Sequence, residues 1–136
     1  MKYMLLMTYG LPRDVDEKHG EMSTWPPEDI KAHIEFQHAI NKELIDNGEL
    51  VDGQGLAGPD QAKIVRFDGH STPVTTDGPF PESKEFLAGY RIVDVETEER
   101  ALEIAAKMSA GPGRGGEALN IPIEVRQVMS APDVDV

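Results

Sequence analysis

Between Asp77 and Glu85 the chain reads Asp-Gly-Pro-Phe-Pro-Glu-Ser-Lys-Glu, three carboxylates and one ammonium within nine residues. An ammonium near a carboxylate holds it ionised and steadies an anionic ligand. On that chemistry Asp77 is a base or polar anchor, Lys84 its cation partner, and Gly78, Glu82 and Glu85 the rest of one pocket wall. The same residues also make a turn: Asp bonds the backbone ahead of it, Gly tolerates positive φ and Pro ends a strand. Tyr90, a little further on, offers a hydroxyl as a hydrogen-bond donor. Upstream, His33, Gln37 and His38 are close enough to share one helix. His33 and Gln37 fall in the middle of its apolar stripe and His38 near its edge, so either histidine is a second proton carrier for the Asp77 site.

Other chemistries are excluded or read as structural. There is no Cys, hence no disulfide, thiolate metal site or thiol nucleophile. His33 and His38, five apart, point in different directions on a helix, and His70 lies in a distant turn, so no metal is expected. No cofactor is expected either. Gly53-Gln-Gly-Leu-Ala-Gly58 has the spacing of a dinucleotide fingerprint, but Pro59-Asp60 and a strand follow it where a helix is required. Gly111-Pro-Gly-Arg114-Gly-Gly116 lacks the Lys-Ser/Thr ending of a phosphate loop and reads as a plain loop. Glu124 and Arg126 share one side of the last strand as a weak surface pair.

The elements that must position these groups follow from patterning. Residues 3–9 form a first buried strand, and 10–26, rich in Gly, Pro and charge, a connection. Pro26-Pro27 starts a helix that Gly48 ends, with Ile30, Ile34, Phe36, Ile40, Leu44 and Ile45 on its apolar face. A strand at 49–52 and a hairpin over 63–76, turning at Asp68-Gly69, come next. The strand 86–95 precedes a helix capped by Thr97, with Ala101, Leu102, Ile104, Ala105 and Met108 inward. The strand 121–129 closes the domain. This order predicts an α+β, ferredoxin-like split β-α-β sandwich with an inserted hairpin: one domain over 1–130 and an acidic mobile tail over 131–136. Strand one is apolar on both faces, and so short a chain has nothing left to cover the second, so a two-fold homodimer is expected.

The formal net charge of −12 argues against direct binding to nucleic acid or to anionic lipid. No segment approaches the roughly 18 apolar residues of a membrane span. A cytoplasmic protein is expected.

The stretch Thr75-Thr-Asp77-Gly78-Pro79-Phe80-Pro-Glu82-Ser-Lys84-Glu85-Phe-Leu-Ala-Gly89-Tyr90 resembles the signature of the DGPF-domain branch of the YCII-related proteins. Strand one, the segment Gly48–Leu56 and Ile123–Arg126 resemble that family too. The resemblance implies a dimeric ferredoxin-like α/β barrel. Some branches are suspected enzymes with a His and an Asp in a pocket. Their His lies on the first helix, at a place that falls here at or next to Gln37, beside His38. Two functions therefore stand side by side. One is a small-molecule pocket near the Asp77 segment, for ligand binding or cofactor-free acid–base chemistry. The other is a non-catalytic partner of sigma factors in transcription initiation, suggested by names that some relatives carry.

Overall fold

Alternation along the first strand decides which face of the sheet is buried. In a computed structural model, which describes residues 1–9, 18–70, 74–77 and 86–130, Tyr3 and Leu5 of β1 (Lys2–Tyr9) are buried while Met4 and Leu6 are half-exposed. The remaining elements are α1 (Pro27–Asp46), β2 (Leu50–Gly55), β3 (Lys63–Arg66), β4 (Val74–Asp77), β5 (Phe86–Asp94), α2 (Glu98–Ser109) and β6 (Glu124–Gln127). Four strands form an antiparallel sheet in the order β2-β5-β1-β6, and β3 pairs with β4 as the separate hairpin. Among the described residues two helices, α1 and α2, lie against an open sheet, an arrangement compatible with the ferredoxin-like fold.

Register places Leu5 opposite Arg91 on one side and Val125 on the other, and Tyr3 opposite Val93. Tyr3, Leu5, Val93 and Val95 thus meet Ile40 and Leu44 of α1 and Ala101, Ile104, Ala105 and Met108 of α2 in the main core. Burying a Leu of this kind is worth about 1.5–3 kcal/mol.

Helix α1 starts where expected, with Pro27 at its first position, and ends in a left-handed Gly48 at φ 70°. There the Glu49 N–H donates to the Leu44 carbonyl at 2.8 Å and the Gly48 N–H to Ile45 at 3.0 Å, the paired bonds of a Schellman close. The Thr97 side chain accepts from the Arg100 N–H at 3.2 Å and caps α2.

Some expectations need correction. Ile34 and Ile45 are 45% and 62% exposed, because the inner ridge of α1 runs through His33, Gln37, Ile40, Asn41 and Leu44. Leu102 of α2 also faces outward, half exposed. The last strand is shorter than expected, since Pro122 has no N–H to give to a ladder and pairing with β1 begins at Glu124. The segment read as a mere connection ends in structure: residues 18–19 are helical and Met22–Thr24 form a 3-10 turn. The tail at 131–136 lies outside the described residues.

Two ion pairs tie the helices to the frame. Arg100 of α2 grips Glu49, just before β2, through Nε to Oε2 and Nη2 to Oε1, both 2.8 Å. Lys107 of α2 reaches Glu43 of α1 at 2.7 Å. Among the described residues no helix is long and apolar enough to cross a membrane.

Candidate functional site

The ridge His33–Gln37–Asn41, one residue per turn of α1, overhangs the end of the sheet that the apolar core leaves unfilled. A cleft of about 1000 Å³ opens there. Its floor is Met7 of β1, Gly53 and Gly55 of β2 and Arg91 of β5, and its far wall is Met22, Trp25, Leu119, Ile121 and Ile123. Trp25 and Leu119 are buried with Ile30 and Ile121 beside them as a second, smaller apolar cluster.

Glycines let this cleft form. A Cβ on Gly53 would sit 3.4 Å from Arg91 Cγ, so the bare β2 backbone leaves room for the arginine stem. The glycine-rich segment that imitates a nucleotide fingerprint thus runs through a strand and serves as floor. A Cβ on Gly111 would meet Gln37 Nε2 at 3.3 Å and His33 Cε1 at 3.5 Å, so the loop after α2 closes directly on the ridge.

Each side chain of the ridge makes at least one defined polar contact. His33 Nδ1 lies 3.0 Å from the Pro112 carbonyl, which can only accept, so Nδ1 is the donor of that bond and Nε2 is the ring nitrogen left to face a ligand. The His33 ring meets Trp25 edge-on, with centroids 5.9 Å apart. Arg91 is 5% exposed, and Nε donates to Asn41 Oδ1 at 2.8 Å. Its Nη2 donates to the Gln37 backbone carbonyl at 3.2 Å and to Gln37 Oε1 at 3.0 Å. Nη1 is buried without a hydrogen-bond partner among the described residues, and desolvation pulls the guanidinium below its ordinary proton affinity.

Behind the far wall, the buried His19 accepts at Nδ1 from the Arg114 N–H at 3.1 Å, and the Trp25 indole donates to the His19 carbonyl at 2.8 Å. Arg114 Nε donates to His19 O at 3.0 Å and Nη2 to Thr24 Oγ1 at 2.8 Å, while the Gly115 N–H donates to Asp29 Oδ2 at 2.9 Å. The Gly111–Gly116 loop is therefore a strut that fastens the wall, and its arginine is engaged in that task.

Of the residues singled out from sequence, His33, Gln37 and Tyr90 border the cleft together. Tyr90 does so from the strand: its side chain alternates to the sheet face opposite Arg91, where its hydroxyl donates to Asp52 Oδ2 at 3.0 Å. That bond first, then desolvation, raises the phenol above its ordinary range and keeps it a donor. His38 is exposed on the outer side of α1 and is not part of the lining. The Asp77 backbone ends β4 opposite Lys63. Gly78, Glu82, Lys84 and Glu85 lie outside the described residues.

Arg91, Asn41, Trp25, His19 and Asp52 escaped the sequence reading. Two left a signal. Arg91 precedes Val93 by two and Val95 by four, which puts a charge on the inward face of a strand, and Asn41 continues the four-residue step of His33 and Gln37.

An open antiparallel sheet with two helices on one face and a polar-ridged cleft beneath the first of them defines the class of this protein. The chain belongs to the YCII-related family, whose domain model matches residues 1–118. It is also similar to an uncharacterized protein of Rhizobium meliloti, 29% identical over 94 residues that make up 68% of this chain and 75% of the relative.

Proposed function

We propose that this protein binds a small organic molecule in the cleft beneath α1, one site per subunit of a homodimer, and holds it or moves a proton on it without a cofactor. The carrying observation is the lining itself, which joins His33 and Gln37 of α1 to Arg91 of β5 around apolar walls. A mostly apolar concavity with a few converging polar groups suits a small ligand. His33 Nε2 is the acceptor for a ligand proton, oriented by its bond to Pro112. Asp77 and Lys84, the carboxylate and the ammonium of the segment that precedes β5 in sequence, remain the candidate charged groups for that ligand on their chemistry alone. Half-exposed Met4, Leu6 and Ile92 on the outer sheet face support the dimer.

A thermal-shift screen of metabolites tests this, because a ligand of the native state raises stability by mass action. The expected result is a hit whose shift is lost in both His33→Ala and Arg91→Met. A shift undiminished in both places the ligand elsewhere and refutes the reading. Asp77→Asn, which keeps turn chemistry and removes the charge, should retain the melting temperature and weaken the hit.

A further inference from the structure

We propose that the cleft selects a small organic monoanion, a carboxylate with an apolar body held by Arg91; this rests on the reading that the cleft binds a small molecule. Arg91 is buried and permanently charged, yet its acceptors are all neutral: Asn41 Oδ1, the Gln37 carbonyl and Gln37 Oε1. No carboxylate among the described residues pairs with it, in a chain with 25 acidic residues against 13 basic ones. Nη1 has no hydrogen-bond partner among the described residues. A buried guanidinium in that state is short of a counter-charge, and an incoming carboxylate supplies one.

The geometry also says how. The arginine stem lies over Gly53 and is pinned at Nε by Asn41, which leaves the edge formed by Nη1 and Nη2 facing a single side-chain ligand, the Gln37 amide oxygen. Displacing that amide exposes a fork that meets a carboxylate with two parallel hydrogen bonds. The charge count restricts the ligand further. Among the described residues Arg91 is the one permanent cation of the lining, and Glu21 of the lining is an exposed acid, so a second negative charge on the ligand would meet repulsion there. Trp25, Met7, Leu119 and Ile121 offer apolar surface to the rest of the molecule.

Titration of the purified protein with phenylacetate, phenylacetamide, phenylethanol and inorganic phosphate at fixed ionic strength, by calorimetry, tests the proposal. Phenylacetate should bind at least about tenfold more tightly than the amide or the alcohol, and phosphate should not saturate. Gln37→Glu places a carboxylate on Arg91 from within. That variant should melt no lower than the parent, lose the preference for the acid and still bind the alcohol. Equal affinity for acid and amide in the parent overturns the monoanion while leaving the cleft a small-molecule site. Absence of saturable binding by all three organic probes overturns both. Tighter binding of phosphate, or an acid preference that survives Gln37→Glu, overturns the role of Arg91.

Discussion

At Gly113 the backbone passes so close to its neighbours that a Cβ would lie 2.5 Å from His19 Nδ1 and 2.6 Å from Leu119 Cδ2. Both neighbours are buried, and His19 is already tied to the Arg114 N–H, so neither can retreat cheaply. Gly113→Ala should therefore cost about 1–3 kcal/mol, the usual range for overpacking a filled interior. Urea denaturation would measure it. The same substitution at Gly115, whose Cβ would meet nothing within 4 Å but whose φ is 69°, should cost only the left-handed backbone penalty of about 1 kcal/mol. Equal losses at the two positions would show that crowding against His19 is not what Gly113 avoids.

Between elements, the bidentate Glu49–Arg100 pair clamps the start of α2 to the turn that ends α1. The Arg100 bond holds the Glu49 carboxyl below its ordinary range, so the folded state binds that proton more weakly than the unfolded chain does. Its stabilisation is complete above about pH 4.5 and fades as the pH falls through the lowered folded value. Glu49→Gln should lose about 1–2 kcal/mol at neutral pH and show a shallower decline of stability in acid than the parent, which chemical denaturation across pH would record. An identical acid limb would remove Glu49 from the account. Element limits such as those of α1 were legible because Pro26-Pro27 and Gly48 act locally on the chain. The inward face was legible only in part: the apolar stripe put Ile34 and Ile45 inside, whereas packing turned the ridge of His33, Gln37 and Asn41 toward the sheet. Trp25 and His19 were hidden in a Gly- and Pro-rich stretch, because their burial comes from a loop more than 80 residues away, a distance at which periodicity says nothing.

For the whole molecule, the two faces of β1 make different demands on the same substitution. Leu5 is fully buried against the helices, so Leu5→Glu leaves an unpaired charge in the core and should unfold the chain at a cost of several kcal/mol. Leu6 is half-exposed opposite Tyr90 and Glu124 on the outer face, where the proposed dimer would bury it. Leu6→Glu should leave circular dichroism near that of the parent and halve the sedimenting mass. A mass equal to that of the parent in a folded Leu6→Glu variant would overturn a dimer contact on this face.

The far wall of the cleft packs in its own small cluster of Trp25 and Leu119 with Ile30 and Ile121, apart from the main core. Its fastening is the strut from His19 to Arg114. Such a panel can swing away at the expense of a few hydrogen bonds while Leu5, Leu44 and Ile104 remain packed, so entry to the cleft does not require global opening. In native-state hydrogen exchange, the Trp25 and Leu119 amides should exchange through a smaller opening free energy than those of Leu5 and Ile104, and a saturating ligand should slow the first pair alone. Exchange of all four amides at one common free energy would mean that wall and core open as a single unit.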